Sequence, residues 1–105
     1  MPVFNQASSG QKIRVNFNQD ISSNTKLEMI LEPQAGGNSS TITPTLGTST
    51  IVVDDETYTA NQYTEYAILA ATFTDATAGK WRKKSIATLP SETVSTNYTF
   101  FRVMP

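Results

Sequence analysis

The chain has 105 residues, a formal charge of −1, no cysteine and no histidine. Its length bounds it to one domain over residues 1–105, able to hide roughly two thirds of its unfolded surface without disulfide or metal staples. The missing residue types exclude a thiolate zinc site, a disulfide framework and the commonest base near neutral pH.

The near-neutral charge argues against nucleic acid, because a small domain built to hold phosphates carries a clear basic excess. No apolar stretch approaches membrane-spanning length. The start "MPVFNQASSG" lacks the charged region and apolar run of a secretion signal. The expectation is a protein made in the cytoplasm, with no membrane partner, and used there or carried out within an assembly. Thr and Ser supply about a quarter of the residues, and β-branched and aromatic residues abound while helix formers rarely cluster. The composition predicts an all-β fold.

In "KIRVNF", Ile13, Val15 and Phe17 alternate with Lys12, Arg14 and Asn16, the period-two signature of a half-buried strand. "DISSNT" suits a turn. "KLEMILEP" puts Leu27, Met29 and Leu31 on one face and ends at Pro33. "QAGGNSS" reads as a loop. Short strands follow around Ile42 and over Ile51 to Val53, with a turn at "DDET". "EYAILAA" fits a helical turn or two or a strand, and the alternation of Tyr66 and Ile68 favours the strand. "TDATAGK" is a tight connection, where Gly79 can take a positive φ. A strand through Trp81 and a closing strand "NYTFFRV" complete about seven. In the last, Thr99, Phe101 and Val103 share one face, and Tyr98, Phe100 and Arg102 the other. The expected architecture is a single Ig-like antiparallel β-sandwich.

"AGKWRKKSIATLP" holds the only tryptophan and raises the question of a nucleic-acid grip. On a strand Lys80 and Arg82 face away from Trp81, whereas a base-stacking platform needs ring and cations on one side. Trp81 is therefore expected in the core with Ile13, Val15, Phe17, Leu27, Met29, Phe101 and Val103. The cations Lys80, Arg82, Lys83 and Lys84 are expected to form an exposed face or protected edge that contacts an acidic patch on a partner protein. Strict alternation puts Lys83 beside Trp81, so either burial stops there or a bulge shifts the register.

Asp54, Asp55 and Glu56 would splay on a strand and be solvated in a turn, whereas a hard cation needs converging oxygens from spaced positions. Asp20 and Asp75 sit beside turns, where bonds to the backbone explain them. No histidine-like base is present to activate a serine or threonine. Gly36 and Gly37 lack the spacing and the lysine of a phosphate loop. "NSS" at 38 and "NYT" at 97 match the glycosylation pattern, which so much Ser and Thr produces by chance. Tyr58, Tyr63, Tyr66 and Tyr98 offer either a sugar-stacking platform or ordinary half-exposed strand positions. An enzyme would need two converging carboxylates, which this spacing does not promise. No metal, cofactor or small-molecule ligand is expected.

"GQKIRVNFNQDISSNTKLEMILEPQAG" resembles the opening of small phage structural proteins, in which a strand, a "D-[IL]-S-S-N-T" turn and a second strand ending in Pro lead into a loop. "TANQYTEYAILAATFTDATAGKWRKKSIATL" resembles their later half, with an "A-G-x-W" step starting a long strand, and "NYTFFRV" resembles their closing "F-x-V" strand. Together these are similar to the Ig-like sandwich modules of phage tails, baseplates and fibre attachments. The resemblance implies a non-enzymatic virion component, made in the host cytoplasm, that forms homo-oligomers and docks on tail, neck or capsid proteins. It carries over no catalytic residue. The alternative from another class is a carbohydrate-binding, receptor-reading module.

Overall fold

The computed structural model describes residues 3–5, 11–34, 39–68 and 79–104. The loop residues 35–38, which include Gly36, Gly37 and Asn38, lie outside that set. So do residues 69–78, which cover the end of "EYAILAA", most of the "TDATAGK" connection and Asp75.

The fold is all-β and consistent with a β-sandwich. Eleven strands are present among the described residues: β1 (Val3–Asn5), β2 (Lys12–Asn16), β3 (Lys26–Pro33), β4 (Ser40–Ile42), β5 (Thr45–Leu46), β6 (Ile51–Val53), β7 (Glu56–Tyr58), β8 (Tyr63–Ala67), β9 (Gly79–Thr88), β10 (Thr93–Ser95) and β11 (Thr99–Met104). The sequence reading expects about seven. β1, β5, β7 and β10 are the additions, each of two or three residues, too short to show a period of two.

A six-stranded sheet runs β1-β11-β9-β3-β4, with β10 also on β9. A three-stranded sheet runs β2-β8-β5, and β6 and β7 form a separate pair. Every pairing is antiparallel except β1 with β11, a departure from the purely antiparallel expectation. β9 organises the larger sheet. Along one edge, Trp81 to Thr88 pair with β3, from Lys26↔Thr88 to Pro33↔Trp81. Its other side is shared by β10 at Ile86 to Thr88 and β11 at Gly79 to Lys83.

Alternation then decides what is inside. Ile13 and Val15 from β2 meet Met29, Leu31, Trp81, Phe101, Val103 and Ile68 in one buried cluster, with the Trp81 and Phe101 rings stacked at 5.9 Å. Phe17, Ile21, Leu27 and Ala87 make a second cluster. Between them the inner side of β9 carries Lys83 and Ser85. Thr64 donates to the Ser85 hydroxyl at 2.9 Å, and Ser85 donates on to the Glu28 carbonyl at 2.6 Å. This fully buried chain of hydroxyls ties the two sheets together, and every link has a partner, as burial demands.

Local chemistry sets the turns. Asp20 accepts from the Ser22 amide at 2.8 Å, so the "DISSNT" turn closes on its own side chain, and the Ser22 hydrogen bond lowers the Asp20 pKa. Asp54 (φ 50°) and Asp55 (φ 66°) both lie in the left-handed region, as a two-residue hairpin loop of the I′ type requires. Gly47 is needed for a different reason: a Cβ there would sit 2.0 Å from the ring of Tyr63. That ring is buried, and its hydroxyl is anchored to the Ser49 carbonyl at 2.8 Å, so it cannot swing away. Gly47→Ala is expected to cost about 3 kcal/mol, read as a lowered midpoint in urea unfolding with an unchanged slope.

Candidate functional site

Trp81 is 4 % exposed, on the inner face. Lys80, Arg82 and Lys84 point out of the other side of β9, so one strand separates the indole ring from the cations. The register places Arg82 opposite Phe100 and Lys80 opposite Arg102 on β11, and Arg82 opposite Glu32 and Lys84 opposite Ile30 on β3. Outward-facing cations thus run along the middle of the six-stranded sheet, with aromatic rings on one flank and carboxylates on the other.

The rings and cations touch. The Arg82 guanidinium lies 4.0 Å over the Tyr98 ring, with Lys84 at 4.9 Å from the same ring, and Lys80 lies 4.6 Å over Phe100. Arg82 is also paired with Glu32. Two partners therefore hold Arg82 down against the outer face, while Lys80 and Arg102 stay exposed. Phe100 is 40 % exposed, Met104 44 % and Val3 55 %. All three belong to the margin formed by β1 and β11, where Val3 is paired with Arg102. Exposed apolar side chains, aromatics and arginine in one patch are the composition of a protein-contact surface.

Lys83 is the correction to the expected docking set. It is 4 % exposed and shares the inner face with Trp81. No bulge intervenes, since the β3–β9 register runs without interruption past Lys83. Its ammonium reaches across the sandwich and donates to the Arg14 carbonyl at 2.6 Å. Burial holds its pKa down at about 8, with Glu56 pulling upward and Arg14 adding to the depression. Its long stem makes this tolerable, because the methylenes pack while the amine ends at the sheet margin.

That margin opens into a cleft of about 470 Å³, lined by Arg14, Asn16, Glu56, Tyr58, Lys83 and Thr99 among others. Tyr58 is pushed up to about 12, by burial first and by the neighbouring Glu56 carboxylate second. The cleft is polar and mixes both signs of charge. Arg14 is further engaged by Glu65 at 3.3 Å, which also holds Lys12 at 3.4 Å.

The four tyrosines do not assemble into one platform. Tyr58 and Tyr63 are buried and packed on each other at 5.4 Å, and Tyr98 is covered by Arg82 and Lys84. Asp54 and Asp55 form the tip of the β6–β7 hairpin, and among the described residues no three acidic side chains converge as a metal site would need. No described helix is long and apolar enough to cross a membrane.

No protein-family model matches the chain, and no curated protein matches it.

Sequence reading found the cations of β9 and the alternation of β11, but it left Tyr98, Phe100, Arg102, Met104 and Val3 out of the docking face. The signal it lacks is the register between β9 and β11, which is set only after β10 has taken the far end of β9 and β11 has returned to its start.

Proposed function

We propose that this chain is a non-enzymatic structural protein of a bacteriophage virion, which assembles with itself and docks on tail, neck or capsid proteins. The observation that carries the docking part of this reading is the outer face of the six-stranded sheet. There Lys80, Arg82 and Lys84 stand over Tyr98 and Phe100, beside exposed Val3 and Met104. A surface of this kind gains affinity from apolar area at its centre and orientation from its charges. Ring or tube symmetry would multiply such contacts, so each can be weak. The virion assignment itself rests on the strand-and-turn resemblance over residues 10–36, 59–89 and 97–103.

Light scattering on the purified protein and mass spectrometry of purified particles test this together. The expected result is a concentration-dependent rise in mass and recovery of the chain from the particles. A strictly monomeric protein absent from particles would end the proposal.

A further inference from the structure

Four large apolar side chains are exposed among the described residues: Val3, Val52, Phe100 and Met104. They fall in two places. Val3, Phe100 and Met104 lie on the sheet face just described, bordered by Lys80 and Arg102. Val52, at 67 % exposure, stands on the β6–β7 hairpin across from Thr57 and next to the Asp54-Asp55 tip, while Glu56 pairs with Val53 and lines the cleft on the other face. Residues 49–60 contain those three acids and no lysine or arginine. Each place therefore has an apolar centre with a border of one sign, and the two signs are opposite.

We propose that the β6–β7 hairpin of one copy docks on the outer sheet face of a second copy. Val52 would lie against Phe100 and Met104, with Asp54 and Asp55 opposite Lys80 and Arg102. This rests on the assembly reading above and gives it a partner and two surfaces. Two sheet faces brought together would oppose cation to cation, and two hairpins would oppose acid to acid. The unlike pairing is the one that repulsion leaves open. Nucleic acid fits the face less well, because Glu28 and Glu32 interrupt its cations and exposed Val3, Phe100 and Met104 occupy its margin.

The turn supports the same conclusion. A loop with positive φ at both positions is best served by Asn-Gly, and Asp at both carries two charges that the turn itself does not require. The tip is also a minimal two-residue loop closed by the Val53–Glu56 pair, so little chain has to be ordered when a partner holds it.

The decisive variants remove the acids while favouring the turn. D54N/D55G is expected to keep or raise the thermal midpoint, yet to weaken self-association roughly tenfold or more in sedimentation velocity at low salt. K80E/R102E should weaken it similarly, and added salt should weaken the wild type. Mixing K80E/R102E with a basic hairpin variant that keeps Val52, D54N/D55G/T57K, should restore association that neither variant shows alone. If D54N/D55G associates as tightly as the wild type, or the mixture stays monomeric, the hairpin-on-face contact is wrong. Recovery of the chain from particles in that case would leave the virion reading standing, so the two failures are distinguishable.

Discussion

Replacing Trp81 by Ala is expected to remove a large share of the folding free energy. The side chain is 4 % exposed, stacked on Phe101, and in one cluster with residues from both sheets. Truncating a buried aromatic of this size costs about 3–5 kcal/mol through lost transfer energy and the cavity left behind. A domain of this size has roughly 5–15 kcal/mol in all. The thermal midpoint, read by circular dichroism, should fall by about 12–40 °C. W81F should fold with a lowered midpoint, because a smaller ring fills much of the same space. By contrast K80A and K84A, one residue before and three after on the outer face, should shift stability by less than about 0.5 kcal/mol. Equal losses at Lys80 and Trp81 would contradict the assignment of the two faces.

The second large effect is a climb of stability with pH, caused by Lys83. Unfolded, its amine has the ordinary value of 10.5, and folded it is held at about 8. Between those two values the unfolded chain still binds a proton that the folded chain has released, so raising the pH favours folding over that window. Below about pH 8 both states carry the proton, and the folded protein bears the full cost of the buried ammonium. The difference corresponds to on the order of 3 kcal/mol. Tyr58 acts in the opposite sense. Its folded value of about 12 exceeds the ordinary 10.0, so stability falls again as the pH passes 10 and the unfolded phenol ionises first.

Denaturant midpoints measured from pH 7 to pH 11 should therefore rise and then fall. K83M should abolish the rise and be at least as stable as the wild type at pH 7, since it removes a buried charge hydrogen-bonded to a backbone carbonyl. A K83M protein several kcal/mol less stable at pH 7 would mean that the amine is a net stabilising link across the sandwich.

Much of this fold is legible in the sequence because its long strands are regular. β2, β3, β9 and β11 each alternate, and the alternation alone sends Ile13, Val15, Leu27, Met29, Trp81, Phe101 and Val103 inward. The short strands are not legible, since two or three residues carry no period and exist only through their neighbours. Lys83 shows the harder limit. The pattern demands that it face the core, while its charge demands water. The structure resolves the conflict by ending the side chain at the cleft margin beside Arg14, a contact made between residues 69 positions apart. Ile21 is similar: it sits in a turn by sequence, yet it is fully buried because Asn61 receives its amide hydrogen bond at 2.8 Å and holds the turn over the second cluster. The outer face was half visible, since cations on β9 announce an exposed side. Which rings lie beneath them depends on the β9–β11 pairing.

Lysine acylation footprinting, read by mass spectrometry on dilute and on assembled protein, tests the central claim most directly: β9 divides the core from a docking surface. The account predicts fast labelling of Lys80, Lys84 and Lys12 in dilute protein with Lys83 slow, and then protection of Lys80 on assembly while Lys12 stays reactive. Labelling of Lys83 as fast as Lys80, or a Lys80 equally reactive in both states, would contradict it.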